Sequence, residues 1–136
     1  MPEFRAPGLA QRRLESCASP AMPSLTAVYC ISSMIDSPAN RQVAWEWVKQ
    51  QWPKVETKLT ATSGADIMRA AGTFCDPAAR KDVEQFFLAH KTFSSERVLQ
   101  QSLERIDACI RTRNQQQDAL TAWLRHQAQP NSSTNK

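Results

Sequence analysis

Glycine is scarce in this 136-residue chain, with three residues and no GxGxxG or P-loop arrangement, so no glycine-rich loop is present to cradle a nucleotide phosphate. Histidine is scarcer still. His90 and His126 stand far apart and away from any paired carboxylate motif, and Cys17, Cys30, Cys75 and Cys109 form no CxxC pair, so metal-site spacing is missing. No run approaches the ~18 apolar residues needed to cross a bilayer. The N-terminal stretch MPEFRAPGLAQRRLESCASPAMPS lacks the apolar core, about 7 to 15 residues long, of a secretory signal. Its Arg and Ser content faintly fits a transit peptide, but Glu3, Glu15 and the early prolines argue against one. Basic charge is not concentrated either. The 17 Lys plus Arg exceed the 13 Asp plus Glu by +4, and the whole excess is scattered over residues 41–136; without a basic stripe, nucleic-acid recognition is set aside. Alternating β-branched runs are also missing, which removes strands and leaves an all-α chain.

What the chain has in quantity is tryptophan at one place. Ser37 to Trp52, SPANRQVAWEWVKQQW, holds three of the four indoles, and each buried indole removes roughly 150 to 250 Å² from water. Ser37-Pro38 reads as a helix start, Ser accepting an orphan N–H bond and Pro giving up a donor that had no partner. At about 100° per residue, Val43, Ala44, Trp47, Val48 and Trp52 share one apolar sector with Trp45 at its margin, while Gln42, Glu46, Lys49 and Gln50 face water.

The rest of the chain follows the same period. Residues 1 to 23, with Pro2, Pro7, Pro20 and Pro23, show no sustained pattern and read as disordered or loosely attached: a cloning scar, an alternative start or a mispredicted exon. From Ser24, an available cap, Leu25, Val28, Tyr29, Ile31 and Met34 or Ile35 recur at helical spacing to about Asp36, and the short link to the next helix forces a hairpin. Pro53 demands a kink or restart, followed by a short turn over Lys54 to Thr60. Thr62-Ser63-Gly64 is a break. Ala65 to Gly72 form a helix with Ile67, Met68 and Ala71 inward, and Asp76-Pro77 opens another, to about His90, carrying Ala79, Val83, Phe86 and Phe87, with Lys81, Asp82 and Glu84 on its wet side. Ser94 or Ser95 caps a helix through Arg113 with Val98, Leu99, Leu103, Ile106 and Ile110 inward, Asn114 to Gln117 bend or interrupt it, and a last helix carries Ala119, Leu120, Trp123 and Leu124. A helical-repeat domain over 24–128 and a disordered tail over 129–136, with its Asn131-Ser132-Ser133 sequon, complete the division.

Four stretches resemble one family, the last being Ala119 to Leu124, which is similar to its terminal "....WL". Asn40-Arg41, Ala44-Trp45-Glu46-Trp47-Val48-Lys49 and Trp52 are similar to the "NP.GR..AWEFVK.NW" stretch in the C-terminal helical (HEAT-like) domain of zinc aminopeptidases, the group of the puromycin-sensitive and endoplasmic-reticulum aminopeptidases. DPAARKDVEQFFLAH (Asp76 to His90) resembles the family's "ST.ED..EV..FF..H", and ERVLQQSLERIDACI (Glu96 to Ile110) its "ERAVQQALERI.ANI". The likeness covers about residues 25 to 125, with Cys109 where Asn is expected and Thr112 where Trp is expected. It implies stacked antiparallel helix pairs, a HEAT-like α-solenoid fragment, consistent with the successive short-linked helices.

The resemblance implies a domain that shapes and closes a peptide chamber, with the parent's catalytic domain and peptide substrate as partners. The parent's zinc is held by H-E-x-x-H-x18-E, and the substrate's amino terminus by a GxMEN strand; neither motif occurs here, so no residue is assigned a catalytic, cofactor-binding or metal-ligating role. A stand-alone helical-repeat interaction module is the alternative. The cysteines read as free thiols of a reducing, cytoplasmic setting, Cys109 as an inert core thiol, His90 as a cap, His126 as solvent-facing and Arg41 as an ion-pair partner. As a fragment or truncated product, the stack exposes an apolar flank on its first helix, which implies marginal stability or self-association.

Overall fold

The computed structural model describes residues 7–60, 63–90 and 96–129. Among them are seven helices and no strand: α1 (Pro7–Cys17), α2 (Ser24–Asp36), α3 (Arg41–Gln50), α4 (Trp52–Glu56), α5 (Gly64–Ala71), α6 (Pro77–Ala89) and α7 (Glu96–Ala128). The all-α reading holds. Residues 1–6, the Ser94/Ser95 cap and the tail beyond Gln129, sequon included, lie outside the described residues.

α2 is the central element, packed on α1, α3 and α5, while α7 closes the bundle against α5 and α6. Its Ala27, Val28, Ile31, Met34 and Ile35 are buried, recurring at three-and-four spacing as an inward stripe must. The link to α3 has only four residues, which returns the chain alongside itself. Ser37-Pro38 does not open α3, however. Ser37 is the C-cap of α2, its N–H bonding Ser33 O, and Asn40 donates from its backbone to Ser37 O at 3.0 Å; α3 begins only at Arg41. The same pairing works as expected at Asp76-Pro77, where the Asp76 carboxylate accepts from Ala79 N at 3.0 Å and Pro77 takes the first helical position. Pro53 likewise restarts the chain as α4.

The indoles of α3 and α4 supply the centre of the core. Trp45, placed at the margin of the apolar sector by its angle, is fully buried, because α3 is covered on two sides and not one. Phe86 meets Trp45 edge-on at 5.2 Å and Trp52 edge-on at 5.0 Å; Phe74 and Phe87 complete the group.

Three expectations fail. The segment read as loosely attached carries α1, whose Ala10, Leu14 and Cys17 are buried and whose Glu15 accepts from Trp47 Nε1 at 3.3 Å. That stripe is too sparse among prolines and arginines to stand out in sequence, and it is a partner surface that makes it a helix. The cysteines are not free. Cys17 bonds Cys30, Cα atoms 5.8 Å apart, and Cys75 bonds Cys109, 5.3 Å apart, both within the range a disulfide needs. Cys109 is exposed, not a core thiol. Finally, Asn114 to Gln117 do not interrupt the last helix: α7 runs unbroken for 33 residues, and everything from Arg111 to Gln129 is exposed. Asn and Gln weaken a helix too little to break one that is nucleated and anchored on its first half.

Candidate functional site

Polar and reactive side chains gather in three places. At the aromatic core, Trp45 Nε1 donates to Asp82 Oδ2 at 2.8 Å and Lys49 Nζ donates to the same oxygen at 2.6 Å, while also reaching Glu46 at 2.8 Å. Burial opposes ionisation of Asp82, but the bonds from Lys49 and Trp45 and the charge of Lys49 outweigh it and hold the carboxyl below its usual range. Lys49 moves the other way: burial lowers it, and Asp82 and Glu46 more than compensate. A carboxylate tied to two donors is not a base poised near neutrality, and this group locks α3 to α6. Sequence placed Asp82 on the wet side; nothing in its own helix's period marks the reach across to α3.

The second place joins α6 and α7. Arg80 Nε donates to Asp107 at 2.7 Å and its Nη1 to Glu84 at 2.8 Å, and Asp107 and Glu84 hold the guanidinium's pKa up. Arg41, read as an ion-pair partner, feels the charge of Asp36 and donates to Ile35 O at 3.0 Å and Asp36 O at 2.9 Å, the last carbonyls of α2, where cationic side chains complement the helix dipole. His90 caps α6 as expected, stacked on Phe86 at 4.3 Å, and His126 is exposed near the end of α7. These singled-out residues do not meet one another. Among the described residues no group of three His, Cys, Asp or Glu is disposed to hold a metal ion.

The third place is a groove of about 680 Å³ between α2, α5 and α7. Leu25, Tyr29, Ser32 and Asp36 form its α2 wall, Asp66 and Arg69 of α5 the second, and Arg105 of α7 the third. Asp66 and Arg69 pair at 3.0 Å. Leu25 is 73% exposed and Tyr29 76%, so a second apolar stripe of α2, offset from the buried one, lies open. Sequence grouped Leu25 and Tyr29, an i, i+4 pair, with the residues that face inward; among the described residues nothing covers them. No helix among the described residues is long and apolar enough to cross a membrane, so the stripe is not part of such a span.

The pieces matched to a known family can now be placed. The "AWEWVK" stretch is α3 with its buried indoles, "VEQFFLAH" is the aromatic half of α6, and "ERVLQQSLERI" is the anchored half of α7. A sequence model of the ERAP1-like C-terminal domain matches residues 1–108. The chain belongs to the ERAP1-like C-terminal domain family.

The match takes in α1, which the residue-by-residue likeness left out, and stops before the exposed half of α7. Similar curated proteins are Aminopeptidase M1 of Arabidopsis thaliana, 32% identical over 104 residues, and Endoplasmic reticulum aminopeptidase 1 of Rattus norvegicus, 29% over 97 residues. These alignments cover 74% and 68% of this chain but 11% and 10% of the relatives. Aminopeptidase M1-C of Oryza sativa subsp. japonica is 32% identical over 68 residues, 48% of this chain and 8% of the relative. The ERAP1-like chain thus spans about a tenth of the length of the curated relatives it matches. No solved structure matches it.

Proposed function

We propose that this chain acts as the C-terminal helical part of a zinc-dependent aminopeptidase, shaping and closing the peptide chamber while contributing no catalytic residue, with the parent's catalytic domain and a peptide as partners. The observation that carries the reading is the family match over residues 1–108, with alignments that cover about a tenth of the length of the curated relatives. The residues present do not fit the parent's zinc: the described His90 caps a helix, His126 lies exposed near the far end of α7, and all four cysteines are bonded to one another. The metal would belong to the rest of the parent, and this chain would be a fragment or truncated product of it. Lid closure that sequesters a site is the physical role open to an inert helical domain. The pure chain is expected to release no aminoacyl chromophore with added zinc; release that a chelator abolishes would sink the reading.

The open groove favours a second reading, a helical interaction module whose uncovered α2 flank is a contact surface through which the chain self-associates. The compartment turns on the cysteines. A cytoplasmic setting rested on free thiols, and bonded pairs favour an oxidising compartment instead. Thiol titration of protein recovered from its own cell decides this: four reactive thiols in denaturant restore the cytoplasmic reading, none supports the oxidising one.

A further inference from the structure

The outer half of α7 and the groove between α2, α5 and α7 are two uncovered apolar surfaces of one chain. Leu120, Trp123 and Leu124 are each more than half exposed, at the i, i+3, i+4 spacing with which a helix enters a groove. Trp123 lies 18 residues beyond Arg105, five full turns at about 100° per residue, so the two side chains share one face of α7. Between Arg105 and Trp123, Ala108, Cys109 (bonded to Cys75), Thr112, Gln116, Ala119 and Leu120 lie within about 60° of that line, and no carboxylate does; Glu104, Asp107, Asp118, Arg111 and Arg125 are turned away, and Arg113 and Leu124 lie about 80° and 100° to one side. Over five turns this face carries one formal charge, Arg105, for which no ion pair or hydrogen bond is found among the described residues.

The chain cannot cover its own groove with this stripe. α7 is one continuous helix, and 18 residues separate Trp123 from the groove edge at Arg105 by about 27 Å along a rigid rod. A second copy has no such limit.

We propose that two copies pair through antiparallel α7 helices about a twofold axis level with Asn114, each inserting Trp123 into the groove between α2, α5 and α7 of the other and laying Leu120 on the α7 surface beside it. In that register Trp123 faces the partner's Arg105, placing an indole against an otherwise unpaired guanidinium, and Leu120 faces the partner's small Ala108. Thr112 and Gln116 face each other near the axis as hydrogen-bonding pairs. The contact is self-complementary, as a closed twofold pair requires, because each copy supplies one stripe and one groove. The inference rests on the reading of the α2 flank as a contact surface and names what fills it.

Sedimentation of the full chain with Trp123→Glu and Tyr29→Glu tests this, both residues being exposed and therefore dispensable for folding, with circular dichroism to check helix content. The native chain is expected to sediment as a dimer at tens of micromolar, and either variant to weaken the pair at least tenfold. Mixing the two variants is expected to recover part of the dimer, since one stripe and one groove remain intact. A monomeric native chain overturns both the flank reading and the pairing. Loss with Tyr29→Glu but not with Trp123→Glu keeps the flank as a contact surface and overturns insertion of α7; growth of species beyond a dimer overturns the twofold arrangement.

Discussion

Trp45 shows how much a single side chain decides. It is fully buried, touches Phe74, Phe86 and Phe87, and donates its one N–H to Asp82. Asp82→Ala leaves that buried donor unpaired and is expected to cost about 1 to 3 kcal/mol, read from urea midpoints. Asp82→Asn keeps an acceptor and removes the charge, so it isolates the pH term. Because the Asp82 carboxyl is held below its usual value, the pair's contribution is present above the ordinary Asp range near pH ~4 and is lost as pH falls through the lowered value. The native chain is therefore expected to lose melting temperature between about pH 5 and pH 2 more steeply than Asp82→Asn. Equal slopes would remove Asp82 from the acid response. Trp45 was visible in sequence as a core candidate, whereas Asp82 was not, since its partner is 37 positions away and on another helix.

At the scale of the element, close approach sets where helices can end. Gly72 terminates α5 against α7: a Cβ there would lie 3.1 Å from Arg69 O, 3.1 Å from Ser102 Cβ and 3.2 Å from Ser102 Cα. Two of those three atoms are backbone and cannot swing aside. Gly72→Ala is expected to destabilise by about 1 to 3 kcal/mol despite alanine's better helix propensity, measured by thermal or chemical unfolding. Ser102→Gly, which opens the same contact, is expected to recover part of the loss in the double variant; full additivity would show that the two sites do not touch. In sequence Gly72 was simply where the helix stops. Similarly, Ser37-Pro38 and Asp76-Pro77 are equivalent as local signals, yet only the second caps a helix, because Asn40 turns toward Ser37 and the first stretch is used to reverse the chain.

For the whole molecule, the two disulfides tie its outer helices to the bundle. Cys17–Cys30 joins α1 to α2 and closes a 13-residue separation; Cys75–Cys109 joins the loop before α6 to α7 and closes 34. On loop-closure entropy these amount to about 3 and about 4 kcal/mol. Cys17 is buried and Cys109 exposed, so mild dithiol reductant is expected to open Cys75–Cys109 first, and Cys109→Ser to lower the melting temperature by several degrees. Mass spectrometry of alkylated protein along a reductant series checks the order. Simultaneous opening would show that exposure does not set it.

The sequence by itself determined the helices that carry dense apolar periods, α2, α3, α5, α6 and the inner half of α7, because a three-and-four stripe is a property of neighbouring residues and survives whatever packs on it. It determined the family too, since those same stripes hold the matched strings. Only the tertiary structure decided that Pro7–Cys17 is a helix, which thiols bond, that Asp82 locks α3 to α6 and that a groove stays open beside Tyr29. Each of these depends on contacts between residues distant in the chain, and no local period encodes what a distant surface will cover.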